Sequence, residues 1–180
     1  ECLEGIAKHN GPVIGDLPYA LADYDALHDL ELGTYASGEA QVAAISDDIA
    51  YNNHDLHDGL RAKLFTTEEL AELPLLRTCF AETDRRYPGL NDYRRHHEAL
   101  RRFFGLLVED VIGVAQRRLT AMDPKSVEDI RAGRQSIAQF SPEVWEDLKK
   151  IRHFLFTRMY RAPSVVEMRK HVTQVVDDLF

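Results

Sequence analysis

From about Asp92 to about Met122, the apolar residues Leu100, Phe103, Phe104, Leu107, Val108, Val111, Ile112 and Val114 recur at helical spacing. Positions three and four apart fall on one stripe of an α-helix, and a strand of period two cannot keep them together. Asn91 or Asp92 supplies an N-cap. A helix this long sets the terms for the rest of the chain.

Helix punctuation recurs on both sides of it. Glu1 to His9 reads as the end of a helix, stopped by Asn10-Gly11-Pro12. Residues 11–36 are rich in loop signals, with a short helix near Ala20 to Leu30. Residues 37–60 form a helix with Ser37 as N-cap and Gly59 weakening its end. Thr66-Thr67-Glu68-Glu69 is a capping box opening a short helix that stops before Pro74. A helix near 75–87 stops at Tyr87-Pro88-Gly89. Further starts are marked by Ser126-Val127-Glu128-Asp129, Ser141-Pro142 and Pro163-Ser164. No alternating strand pattern, internal repeat or low-complexity tract competes. The expected fold is all-α, an orthogonal, globin-like multi-helix bundle rather than a coiled coil. Trp145, Phe154, Phe156, Met159 and Tyr160 read as its core.

The helix at 37–60 carries the densest chemistry. Asp47, Asp48, Tyr51, His54, Asp55, His57 and Asp58 crowd into twelve residues. With Asp47 at zero, Asp58 falls near 20°, Tyr51 near 40°, Asp55 near 80° and His54 near −20°, rough values from about 100° per residue. Val42, Ile45, Ile49, Leu56 and Leu60 cluster opposite. An amphipathic surface helix with a solvated acidic face explains this pattern. So does a cation site, because carboxylates one turn apart repel unless neutralised and hard cations prefer their oxygens.

The run EAQVAAISDDIAYNNHDLHDGLRAKLF resembles the signature of bacterial deoxyguanosinetriphosphate triphosphohydrolase-like proteins, of the HD-domain superfamily. LEGIAKHNGPV (Leu3 to Val13) and FLFTRMYRAPSV (Phe154 to Val165) are similar to the same family, in the same order. Ser46 stands where the family usually has alanine. The resemblance implies an HD-domain-like bundle, of which this chain is the C-terminal portion. It implies hydrolysis of a dNTP to deoxynucleoside and triphosphate with a divalent metal (Mg, Mn or similar) in an H…HD…D constellation. Asp47 matches the last aspartate, a metal ligand; Asp48 would support it. Tyr51 and Asp55 match residues that contact the deoxyribose and nearby phosphate.

The family's first His and its His-Asp pair precede the residue matching Glu1. His28-Asp29, His54-Asp55 and His57-Asp58 lack the context of that pair. The family also continues in a DYIAGMTD-like run not found here. The chain is therefore expected to be a fragment of a larger hydrolase. Residues 1–62 would hold the last-aspartate helix of the HD core and 63–180 a helical extension, in one helical region. Its catalytic residues are expected upstream of Glu1, its metal site incomplete or empty, and its own hydrolase activity nil. Two other readings stay open: another HD phosphohydrolase, or a non-catalytic helical module for oligomerisation or nucleotide binding.

The cluster Tyr93-Arg94-Arg95-His96-His97-Glu98-Ala99-Leu100-Arg101-Arg102 offers cations suited to phosphate. Ion pairs along a solvated helix face explain it equally. A helix of relatives contributes polar substrate contacts, which makes His97 and Arg101 candidate substrate ligands. Lys8-His9-Asn10-Gly11 reads as a helix stop, or as a motif near the pocket. Arg152, Arg158, Arg161, Arg169 and Lys170 read as surface or subunit-contact residues.

A net charge of −8 argues against a surface devoted to nucleic acid or anionic membrane. No apolar run reaches membrane-spanning length. Cys2 and Cys79 are too few for a disulfide scaffold, which fits a cytoplasmic setting. Ring-like relatives imply a homo-oligomer, and the partners expected are the dNTP substrate and an allosteric nucleotide or single-stranded DNA, with no membrane.

Overall fold

The structure, a computed structural model, describes residues 2–180; the Glu1 end of the first expected helix lies outside them. Among the described residues the regular elements are all helical, so the chain is all-α. They are α1 (Cys2–Ala7), α2 (Tyr19–Leu27), α3 (Gly38–Arg61), α4 (Thr67–Leu70), α5 (Pro74–Arg86), α6 (Asp92–Met122), α7 (Val127–Arg131), α8 (Pro142–Leu155), a π-helical turn (Phe156–Tyr160) and α9 (Pro163–Leu179). None is long and apolar enough to cross a membrane.

The helix starts are made by the side chains the sequence offers. Ser37 Oγ accepts from Ala40 N at 3.3 Å before α3, and Asn91 Oδ1 accepts from Arg94 N at 2.9 Å before α6. Thr66 and Glu69 form a reciprocal capping box on α4, as do Ser126 and Asp129 on α7. Each satisfies amides that the helix cannot pair internally.

The chain divides into two compact units, and α3 and α6 each contribute to both. The first unit comprises Glu1–Ile49 and Val108–Ser141. A polar knot fastens it. Glu4, 6 % exposed, accepts a two-pronged bond from Arg131 at 3.1 and 2.9 Å and one from Lys8 Nζ at 3.1 Å. Lys8, 2 % exposed, also donates to Thr34 Oγ1 at 3.0 Å. Burial raises the Glu4 pKa, but the bonds from Arg131 and Lys8 outweigh it and hold it below the usual glutamate value. Gln41 stitches α3 to the 136–137 segment: its Oε1 accepts from Ser136 Oγ and Ile137 N, both at 2.7 Å.

The second unit comprises Ala50–Leu107 and Pro142–Phe180. Leu56, Leu70, Leu76, Phe80, Phe103, Leu107, Leu148, Ile151 and Leu155 are almost fully buried in it. Gly59 is a close-approach site here, not merely a weak helix former. A Cβ on it would sit 2.1 and 2.2 Å from ring atoms of Phe65, whose ring in turn meets Phe154 edge-on.

The expected apolar faces hold with exceptions. On α6, Leu100, Phe103, Leu107, Val111 and Val114 are buried, whereas Phe104 and Ile112 are exposed. Val42 of α3 is exposed as well. Trp145 and Phe156, read as core, are instead exposed, with Arg152 over the Trp145 ring and Arg161 over Phe156.

Candidate functional site

Asp47, Tyr51 and Asp55 stand at successive turns of α3, which the 3.6-residue repeat requires to share one face. What each meets is supplied by other segments.

In the second unit, the Tyr160 hydroxyl donates to Asp55 Oδ2, and Tyr51 acts on the same phenol. Burial first, then Asp55 and Tyr51, push the Tyr160 pKa far above the tyrosine value. Tyr160 is therefore a fixed O–H donor at any working pH. Asp55 is half-buried and Tyr51 is exposed. Two phenol rings flank a carboxylate that keeps accepting capacity. That combination suits a polar, ring-shaped ligand rich in hydroxyls, such as a sugar.

Tyr160, read from the sequence as core, is half-buried and reaches the polar face of α3 through its hydroxyl. It ends the π-helical turn that follows α8 directly. A π turn closes i→i+5 bonds and rotates the side chains after it relative to an α-helix, a device found often at functional sites. The signal that points to it is the FLFTRMYRAPSV run itself. Arg158 of the same turn bonds Glu69 and ties the turn to α4.

In the first unit, His9 Nε2 lies 3.6 Å from Asp47 Oδ2, both side chains largely exposed. Thus the Lys8-His9-Asn10-Gly11 motif divides its labour: Lys8 enters the buried knot and His9 faces Asp47. Asp48 is half-buried.

His97 and Arg101 each have partners other than Tyr51 and Asp55. Arg101 is exposed and committed to Glu98 through bonds of 3.0 and 2.8 Å. His97 meets His57, which leaves α3 about 160° round from Asp55. His96 turns inward, bonding Thr67 Oγ1; burial above all lowers its pKa and favours the neutral ring.

The donor set does not make a metal centre alone. No group of three or more His, Cys, Asp or Glu among the described residues could hold an ion. Asp47 offers carboxylate oxygens, which hard divalent cations prefer, but such ions take several ligands.

Residues 138–180, which include the Tyr160 turn and α9, match the family described as a phosphohydrolase-associated domain. The matched segment is helical throughout its regular elements, as is the rest of the described chain. The whole chain is 70 % identical over 180 residues to a deoxyguanosinetriphosphate triphosphohydrolase-like protein of Roseobacter denitrificans, covering 100 % of this chain and 46 % of that one. It is 65 % identical to a protein so named of Jannaschia sp., with the same coverage, and 50 % identical over 188 residues to one of Rhizobium etli, covering 100 % of this chain and 46 % of that one. The chain is similar over its whole length to deoxyguanosinetriphosphate triphosphohydrolase-like proteins and spans about half the length of these relatives.

Proposed function

We propose that the protein containing this chain hydrolyses deoxynucleoside triphosphates to deoxynucleoside and triphosphate, and that this chain supplies the sugar-binding side of the site. The observation that carries this reading is the Tyr160–Asp55 bond with Tyr51 beside it. It joins two of the three stretches that resemble the family, and the relatives' names specify a deoxynucleoside triphosphate.

Asp55 accepts a hydrogen bond from a sugar hydroxyl. Tyr160 orients that carboxylate through its permanent O–H, and the Tyr51 ring packs on the sugar, where crowding at the 2′ position favours deoxyribose. Asp47 donates a single ligand to a divalent metal whose other ligands lie outside these 180 residues, with Asp48 supporting it. Such a metal, when bound, polarises a phosphate oxygen or a water. Because Asp47 is one donor among several needed, the isolated 180 residues do not turn over dNTPs.

The test is product analysis by chromatography of the full-length protein with dGTP and each other dNTP, in Mg²⁺ and in Mn²⁺. The expected products are deoxynucleoside and triphosphate in equal amounts. Release of monophosphate and pyrophosphate, or no turnover of any dNTP, overturns the proposal.

A further inference from the structure

A second polar site lies within the second unit, on the side of α3 away from Asp55. His57 and His97 face each other with Nε2 atoms 3.3 Å apart and ring centroids 4.7 Å apart. Tyr93, one turn before His97 on α6, sets its ring against that imidazole with centroids 4.4 Å apart. With Leu60, Arg61 and His96 they line a cavity of about 330 Å³.

The protons of this cavity are under-supplied with acceptors. The facing nitrogens make one hydrogen bond, so one ring donates and the other accepts. A second proton would leave two donors pointing at each other, a state that an oxyanion between them relieves. Arg61 adds a permanent guanidinium. It makes no ion pair among the described residues, whereas Arg85, Arg95, Arg101, Arg131 and Arg158 are each tied to a carboxylate.

The other charged groups nearby leave this arrangement open. Asp58 Oδ1 is 3.8 Å from His57 Nδ1, the ring nitrogen that does not face His97, and is largely exposed. His96 is engaged with Thr67. Asp92 and Glu68 act on His96, and Arg95 is held by Asp84 at 2.6 Å.

We propose that this cavity binds a phosphate group, free or as a small phosphate ester, through Arg61, His57 and His97, with Tyr93 as its aromatic wall and with uptake of a proton by the histidine pair. This site is separate from the sugar site and does not depend on the dNTP reading.

Isothermal titration of the full-length protein with inorganic phosphate, and separately with deoxyguanosine monophosphate, tests it. The titrations are run at pH 6 and pH 8 and in buffers of different ionisation enthalpy, on wild type and on Asp55→Asn. The expected result is binding about tenfold weaker at pH 8 than at pH 6, with measurable proton uptake. His57→Gln, His97→Gln and Arg61→Gln should each weaken it about tenfold, and inorganic phosphate binding should survive Asp55→Asn. Tighter binding of inorganic phosphate identifies a free anion as the ligand; tighter binding of the nucleotide identifies an ester whose ring uses Tyr93. The same affinity at both pH values, or phosphate binding indifferent to Arg61→Gln and His57→Gln, overturns the proposal.

Discussion

The Tyr160 hydroxyl donates to Oδ2 of Asp55, joining the end of a π-helical turn to the polar face of α3 across 105 residues of sequence. The bond fixes the direction in which Asp55 can accept from anything else. Tyr160→Phe removes the donor but keeps the ring. It should raise KM for a dNTP about tenfold, the value of one hydrogen bond to a charged group, with a smaller change in kcat. Steady-state kinetics of the full-length protein check this, and an unchanged KM would separate Tyr160 from the substrate.

Glu4 anchors the buried knot of the first unit. Glu4→Ala leaves Lys8 and Arg131 without their carboxylate and should cost about 3 kcal/mol in chemical denaturation. The pH dependence has a definite sign. The folded pKa of Glu4 is lowered, so its contribution is present above the unfolded value of 4.5 and is lost as pH falls through the folded one. Wild type and Glu4→Gln should therefore converge in stability on acidification below pH 4.5. A gap that stays constant would assign the stability to packing alone.

Two glycines in helices should respond to alanine in opposite directions. At Gly59 the new Cβ would meet Phe65 ring atoms at 2.1 and 2.2 Å, so Gly59→Ala should destabilise by about 2 kcal/mol, overpacking exceeding the gain in helix propensity. At Gly105 no atom lies within 4 Å of the Cβ position, so Gly105→Ala should stabilise by about 0.5–1 kcal/mol. Thermal unfolding of both variants reads the difference; equal effects would contradict the Phe65 packing.

The all-α class and most helix starts were legible because each rests on local chemistry. Apolar spacing needs only neighbours three and four residues away, and Thr66–Glu69, Ser126–Asp129 and Asn91 cap through their own turns. The shared face of Asp47, Tyr51 and Asp55 was legible for the same reason. The partners of that face were not. Tyr160 sits in an aromatic-rich run that reads as packing, and the π turn breaks the periodicity by which its direction would be judged. The His57–His97 pair depends on two helices meeting 40 residues apart. Trp145 and Phe156 misled because composition alone puts large aromatics inside, while nearby arginines cover them at the surface.

The two cysteines should differ sharply in reactivity. Cys2 is exposed; Cys79 is buried, and that burial, only partly countered by Arg102, pushes its thiol up to about 11 from 9.0. At pH 8 that shift alone lowers the thiolate fraction about 100-fold, before any barrier to access. Mass spectrometry after brief iodoacetamide treatment should find Cys2 alkylated and Cys79 intact. Alkylation of both at similar rates would contradict the packing around α5.

On the proposed reading, Asp55, held by Tyr160, accepts from a hydroxyl of the deoxyribose. The ratio of kcat/KM for dGTP to that for 2′,3′-dideoxy-GTP measures this directly in the full-length protein. Wild type should favour dGTP by about 100-fold or more, because a site built around a hydroxyl rejects the analogue that lacks it. In Asp55→Asn and in Tyr160→Phe the ratio should fall towards one. The same ratio in wild type and both variants would contradict the account.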